Sequence, residues 1–174
     1  LAGLPRPRRE LLQVDRYLTT NVVQTARGCP HNCTFCSVKA VAGRRYRFRP
    51  INEVTEEIDP LKGWIGLVDD NIAGNPTRAK ELFEALIPLK RRWVGQADLN
   101  IARDPELMAL AVRSGCKALF IGLESLSPQN LKATGKSPNV GTDMDEAVRR
   151  IHRAGIEIIG SFVFGFDGDA LGTF

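Results

Sequence analysis

No stretch of this 174-residue sequence is apolar for long enough to cross a bilayer. The longest such run, residues 158–166, falls far short of the roughly 20 residues a membrane helix needs, and Glu157 precedes it. The first residues, Leu-Ala-Gly-Leu-Pro-Arg-Pro-Arg-Arg, contain no apolar core of a secretory leader, so a cytoplasmic location is expected. Low-complexity tracts are absent. Cysteine is scarce: there are four, three of them clustered, which speaks against a disulfide framework and for metal ligands in a reducing compartment. With 43% hydrophobic and 25% charged residues the chain reads as one soluble, globular domain with a sizeable core rather than a disordered segment. It begins with Leu and ends at Phe174 with no closing element, and both ends are expected to be cuts in a longer chain.

Positive charge is unevenly spread. Residues 1–50 carry ten Lys and Arg (Arg6, Arg8, Arg9, Arg16, Arg27, Lys39, Arg44, Arg45, Arg47, Arg49) against Glu10 and Asp15, a net +8, while the remainder is −4. Such a concentration suits an anion, whether a carboxylate cofactor, a phosphate or RNA; it also suits a plain solvated face, above all for Arg6, Arg8 and Arg9.

The basic region surrounds Cys29, Cys33 and Cys36, spaced C-x-x-x-C-x-x-C. Three thiolates can hold three corners of a cubane iron–sulfur cluster and leave the fourth iron without a protein ligand, whereas ordinary 4Fe–4S electron carriers use four cysteines. Cys116 is placed as a small buried apolar residue and not as the fourth ligand. His31 reads as a solvent-facing loop residue.

Around this loop the sequence alternates strand and helix. Residues 1–18, rich in Pro and Arg, form a linker or arm. Strands are expected over 21–25, 64–68, 93–100, 118–123 and 156–166. The four intervening helices begin near Pro50, at Asn75-Pro76, at Asp104-Pro105 and at a Thr142/Asp145 capping box. Phe162, Phe164 and Phe166, at period two, are expected to fill the barrel or its helical layer. This order defines an α/β fold with a parallel sheet, in which chemistry collects at the carboxyl ends of the strands. The cysteine loop, Asp69-Asp70-Asn71, Asn100 with Arg103, Glu124-Ser125 and Asp167 with Asp169 all fall at that rim.

A three-cysteine loop after the first strand of a parallel βα array resembles the radical S-adenosylmethionine (SAM) superfamily. Phe35, before the last cysteine, is the aromatic usual there. The wider runs Gly28-Cys29-Pro30-His31-Asn32-Cys33-Thr34-Phe35-Cys36, Val68-Asp69-Asp70-Asn71-Ile72-Ala73-Gly74-Asn75-Pro76 and Ile121-Gly122-Leu123-Glu124-Ser125 resemble the branch that carries a cobalamin-binding domain in front. The resemblance implies a partial parallel (β/α)6 TIM-like barrel, truncated after the fifth strand, as a radical SAM core over residues 19–174 behind the 1–18 arm. It implies a 4Fe–4S cluster on Cys29, Cys33 and Cys36, with SAM chelating the open iron and cleaved reductively to a 5′-deoxyadenosyl radical. Cobalamin is expected on a preceding domain, for methylation or a related radical reaction.

On the same footing, Asp69, Asp70 and Asn71 would receive the SAM amino group, and Glu124 the ribose hydroxyls. Ser125 and Ser161 would add polar contacts, Phe35 would pack near adenine, and Gln96 or Asn100 would reach the nucleoside. The expected partners are a small-molecule or lipid-like substrate and an electron donor such as flavodoxin or ferredoxin. Two other readings stand beside this one: a tRNA methylthiotransferase-like enzyme, for which RNA would suit the basic first fifty residues, and a zinc or electron-transfer module using His31 or Cys116 as a further ligand. Asp69-Asp70-Asn71 could equally be a turn after a strand.

Overall fold

The computed structural model describes residues 1–43 and 45–173; Arg44, counted above in the basic cluster, and Phe174 at the expected cut end lie outside the described residues. Five strands form one parallel sheet in the order β1 (Val22–Val23), β4 (Trp64–Leu67), β5 (Arg92–Ala97), β6 (Cys116–Glu124), β7 (Glu157–Phe162). Each neighbour in space is the next of these strands in sequence, so the crossovers step one way and the sheet curls without closing. The expected partial barrel is the observed architecture.

Alternation along the strands decides which face is covered. Ile65, Leu67, Trp93, Leu119 and Ile121 are buried against α2 (Ile51–Ile58), α3 (Pro76–Leu86), α4 (Pro105–Arg113) and α6 (Met144–Arg153), which contribute Val54, Phe83, Leu107 and Ile151. Trp93 packs its ring 5.2 Å from that of Phe83 and donates its indole N–H to Ser114 Oγ at 3.1 Å, so its one polar atom is satisfied in the core. The opposite, concave face exposes Val68, Phe120 and Ile159.

The helix starts at Asn75 and Asp104 form as expected. Each side chain accepts a backbone N–H at 3.0 Å, from Arg78 and Leu107, and Pro stands at the first helical position. The cap of α6 is Asp143, which accepts from Glu146 N–H, and not Thr142 with Asp145; the Thr142 hydroxyl donates to Pro138 O instead. Two further helices are present, α1 (Val38–Val41) and α5 (Pro128–Ala133), the latter capped by Ser127. They are one or two turns long, too short for an apolar period to register.

Two strands end sooner than their apolar runs suggest, each where an Asp takes over the backbone beyond it, whereas β6 runs past the expected 118–123 at both ends. β5 stops at Ala97 because Asp98 caps the 3-10 turn Leu99–Arg103. The chain turns after β7 where Asp169 accepts N–H groups from Gly165 and Phe166, leaving Phe162 and Phe164 exposed rather than filling the interior.

The arm is tied down. Arg9 Nη2 donates to Glu57 Oε1 at 2.6 Å and to Val22 O, Leu1 N donates to Phe48 O, and Gly3 N donates to Glu53. Arg6 pairs with Glu56, and Arg49 Nη1 lies 2.8 Å from Glu57 Oε2, so much of the basic charge near the N-terminus meets the acids of α2. Among the described residues no helix is long and apolar enough to cross a membrane.

Candidate active site

The cysteine loop leaves the sheet through a short antiparallel ribbon, β2 (Ala26–Arg27) with β3 (Arg47–Phe48), which closes its base. Gly28 begins the excursion at φ +92°, where a Cβ would stand 2.6 Å from Arg45 O; only glycine fits. Beneath it lies Asp69, 2% exposed. Its carboxylate accepts Thr25 N–H at 2.6 Å, Ala26 N–H at 3.1 Å and the Thr25 hydroxyl. Burial pushes the Asp69 carboxyl above its ordinary range, and the three donors work against that shift.

Three contacts then hold the loop: two come from just beyond the ends of β4 and β5, and one from the C-terminus of α5. Gly28 N–H donates to Asp70 Oδ2 at 3.0 Å, His31 Nε2 lies 2.7 Å from Asp98 Oδ2, and Thr34 N–H donates to Thr134 O at 2.9 Å. Asp98 is also the acceptor for Asn71 Nδ2 at 2.8 Å and for Asn100 N–H at 2.8 Å. Burial pushes its carboxyl up, but the hydrogen bonds from His31, Asn100 and Asn71 outweigh that and leave its pKa below the ordinary value. As a carboxylate Asp98 accepts this contact from the Nε2–H tautomer of His31.

Cys29, Cys33 and Cys36 are half-buried free thiols that line one cavity. Burial raises the pKa of Cys29 and of Cys33; Lys136 opposes the rise at Cys33. The cavity wall opposite comes from β6 and β7. Glu124 takes a left-handed backbone at φ +67° and accepts from Lys136 Nζ at 2.9 Å, both side chains about nine-tenths buried. Gly122 makes room for them, since a Cβ there would meet Glu124 Oε1 at 2.1 Å. Ser161 stands across from Gly122 in the strand register and lines the same cavity.

Of the residues expected at a cofactor site, Phe35, Asp70, Asn71, Gln96, Glu124 and Ser161 face this cavity together with the three cysteines. Asp69, Asn100 and Ser125 do not line it. Asp69 is spent on Thr25 and Ala26, Asn100 is held in the turn under Asp98, and Ser125 Oγ accepts from Ser127 N–H beside a separate hollow. Asn71 faces the cavity with its amide engaged by Asp98 and by Ala73 N–H. The ring of Phe35 stands 5.9 Å from that of Phe166.

Three cavity residues escaped sequence reasoning. Asp98 looked like part of a strand, Lys136 lay in a loop with no motif, and His31, expected to face solvent, is only 21% exposed in its side chain. The one available signal was position: His31 lies inside the cysteine motif, and Asp98 directly follows a strand end.

The donor set suits an iron–sulfur cubane. Three thiols from one loop share a cavity, while no group of three or more His, Cys, Asp or Glu among the described residues gathers for a single ion. Cubane thiolates bind separate irons, whereas zinc ligands converge on one point. Of the residues suggested for the zinc reading, Cys116 lies buried at the far end of β6, its thiol pushed up to about 12 by desolvation, and His31, held to Asp98 through Nε2, belongs to no such gathered group among the described residues.

Residues 23–173 match the profile of the radical SAM superfamily, and the chain belongs to that superfamily. Among its relatives, the bacteriochlorophyllide d C-12(1)-methyltransferase of Chlorobaculum tepidum is 35% identical over 159 residues, covering 87% of this chain and 35% of that protein. The hopanoid C-2 methylase of Rhodopseudomonas palustris is 32% identical over 176 residues, covering 95% of this chain and 33% of that one. The family and these relatives identify an enzyme. The chain spans about a third of the length of these relatives. The fold matches the radical SAM methyltransferase TsrM of Kitasatospora setae, solved with cobalamin and a 4Fe–4S cluster bound, at a TM-score of 0.78 and 19% identity, over 88% of this chain and 32% of that one.

Proposed function

We propose that this chain is the cofactor-holding core of a radical SAM methyltransferase, with Cys29, Cys33 and Cys36 as the ligands of a 4Fe–4S cluster. The observation that carries this reading is the sharing of one cavity by those three thiols and by the polar side chains Asp70, Gln96, Glu124, Lys136 and Ser161. When bound, the cluster and SAM supply reductive cleavage of SAM to methionine and a 5′-deoxyadenosyl radical.

The chain's own residues bind and orient. Lys136 offers the cationic donor a SAM carboxylate needs, and Asp70 the anionic acceptor for its amino group. Glu124, whose Oε2 accepts no hydrogen bond among the described residues, takes ribose hydroxyls, with Ser161 and Gln96 adding polar contacts. Phe35 shields the adenine side of the cavity from water. Asp69 and Asn71 act through the backbone they hold.

The substrate in this reading is a small, largely apolar molecule. Val68, Phe120 and Ile159 present an apolar floor on the concave sheet face, continuous with the cavity through Gln96. Cobalamin, carried by another domain, serves as methyl carrier, and a cytoplasmic flavodoxin or ferredoxin supplies electrons. Support for cobalamin comes from solved relatives such as TsrM. The test is anaerobic reconstitution with iron and sulfide, then addition of SAM and dithionite. 5′-Deoxyadenosine should form with the chain and not with Cys33→Ala; a reconstituted chain that never yields it, alone or within its full-length protein, overturns the reading.

A further inference from the structure

Between Cys29 and Cys33 lie Pro30, His31 and Asn32. Among the described residues, these three reach the rest of the fold by hydrogen bonding only through the His31 ring, whose Nε2 lies 2.7 Å from Asp98 Oδ2, 67 positions away in sequence, and more loosely, at 3.4 Å, from Asn71 Nδ2, itself bound to Asp98. A residue between two of the proposed ligands thus reaches the end of β5 with its side chain. Asp98 is itself held on both oxygens: it is 4% exposed, Asn71 Nδ2 donates to the same oxygen that meets His31, and Asn100 N–H donates to the other.

We infer that Asp98 is a positioning residue for the cluster: through His31 it fixes the C-x-x-x-C half of the loop, and so sets how long a bound cluster persists and what its electronic surroundings are. This inference rests on the cluster reading above. The physical ground is that outer partners of metal-site residues orient the ligands that hold the metal. Here the orientation passes through a residue between two ligands, because the loop has no regular backbone pairing of its own over residues 29–33. The flanking contacts at Gly28 and Thr34 hold only the two shoulders of that segment.

The test compares the anaerobically reconstituted chain with His31→Ala, Asp98→Ala, Asp98→Asn and the His31→Ala/Asp98→Ala double variant. Two quantities are read: the lifetime of the cluster absorbance under an iron chelator, and the electron paramagnetic resonance spectrum after reduction. His31→Ala and Asp98→Ala should each shorten the lifetime about 10-fold, the lower end of outer-partner effects, and alter the spectrum. The double variant should be no worse than either single one, because both remove the same contact. Asp98→Asn keeps an acceptor for Asn100 N–H, and so the 3-10 turn, and should fall between.

If His31→Ala matches wild type while Asp98→Ala does not, Asp98 acts by holding its own turn and the inference is overturned. Effects that multiply in the double variant overturn it too. Should the Asp98 variants not fold, His31→Ala decides alone, since its ring serves this contact. Wild type that builds no cluster removes the cluster reading and this inference with it; wild type and variants with equally durable clusters remove this inference only.

Discussion

Lys136 Nζ donates to Glu124 Oε1 at 2.9 Å, and the pair is seated directly against Gly122. A non-glycine residue at φ +67° carries backbone strain of roughly 1–3 kcal/mol, so the fold holds Glu124 there against a local cost. Gly122→Ala would place a methyl group on the tips of both side chains and drive them off the cavity wall. The expected result is a folded chain that binds SAM about 10–100-fold more weakly, the equivalent of losing one charge-assisted hydrogen bond. Equilibrium binding of SAM to the reconstituted chain, beside a thermal melt, checks it; unchanged affinity would separate the pair from the SAM site.

Removing one thiol tests the cysteine set directly. Cys29→Ala, Cys33→Ala or Cys36→Ala should each abolish a stable cluster, read as iron and sulfide bound per chain, because two protein thiolates leave half a cubane unanchored. Cys116→Ala should leave the metal content at the wild-type level, since that thiol is buried at the far end of β6. Cluster loss in Cys116→Ala alone would contradict this division.

Glu57, 2% exposed, lies between Arg9 and Arg49. Glu57→Ala leaves two guanidinium groups without their shared anion, and breaking a buried pair by removing one partner costs about 3–5 kcal/mol. Urea denaturation of the variant should show a loss of that order, while Glu56→Ala, which removes only the exposed pair with Arg6, should cost about 1 kcal/mol or less. Equal effects would mean that the arm is not held by the buried cluster.

Asp104 carries the start of α4. The Leu107 N–H and the Lys80 ammonium hold its carboxyl below the ordinary range. A depressed folded-state pKa contributes stability that is present above the unfolded value, about 3.9, and is lost as pH falls through the folded value. Asp104→Ala should therefore cost about 1 kcal/mol at neutral pH, the usual worth of such a cap. The gap between wild type and variant should narrow as the pH is taken below about 4. A gap independent of pH would assign the effect to packing instead of charge.

The parts of the fold legible in advance were those written in short spacings. Asn75-Pro76, Asp104-Pro105 and the apolar strand cores each act within a few residues and formed where expected, and the C-x-x-x-C-x-x-C spacing puts its three thiols on one cavity. The Thr142/Asp145 box failed because Asp143 offers the better-placed acceptor, one residue along. The aromatic run after β7 failed because Asp169 gathers the backbone N–H groups that a longer strand would have paired. In both cases a local competition between acceptors, invisible to periodicity, decided the boundary.

By itself the sequence determined that this chain would build a parallel βα array with a three-thiol loop on its first strand. Those features follow from local propensity and from the chemistry of three adjacent cysteines. Tertiary structure alone decided which side chains meet that loop. Strand register brings Asp98 to His31 and turns Asp69 inward to Thr25, and the connection after α5 lays Lys136 on Glu124, over separations that no local rule spans. The reason is physical: a carboxylate one residue either way along a strand end points to the opposite face, so the pairing of strands, and not the order of residues, chooses between a cavity wall and a backbone support.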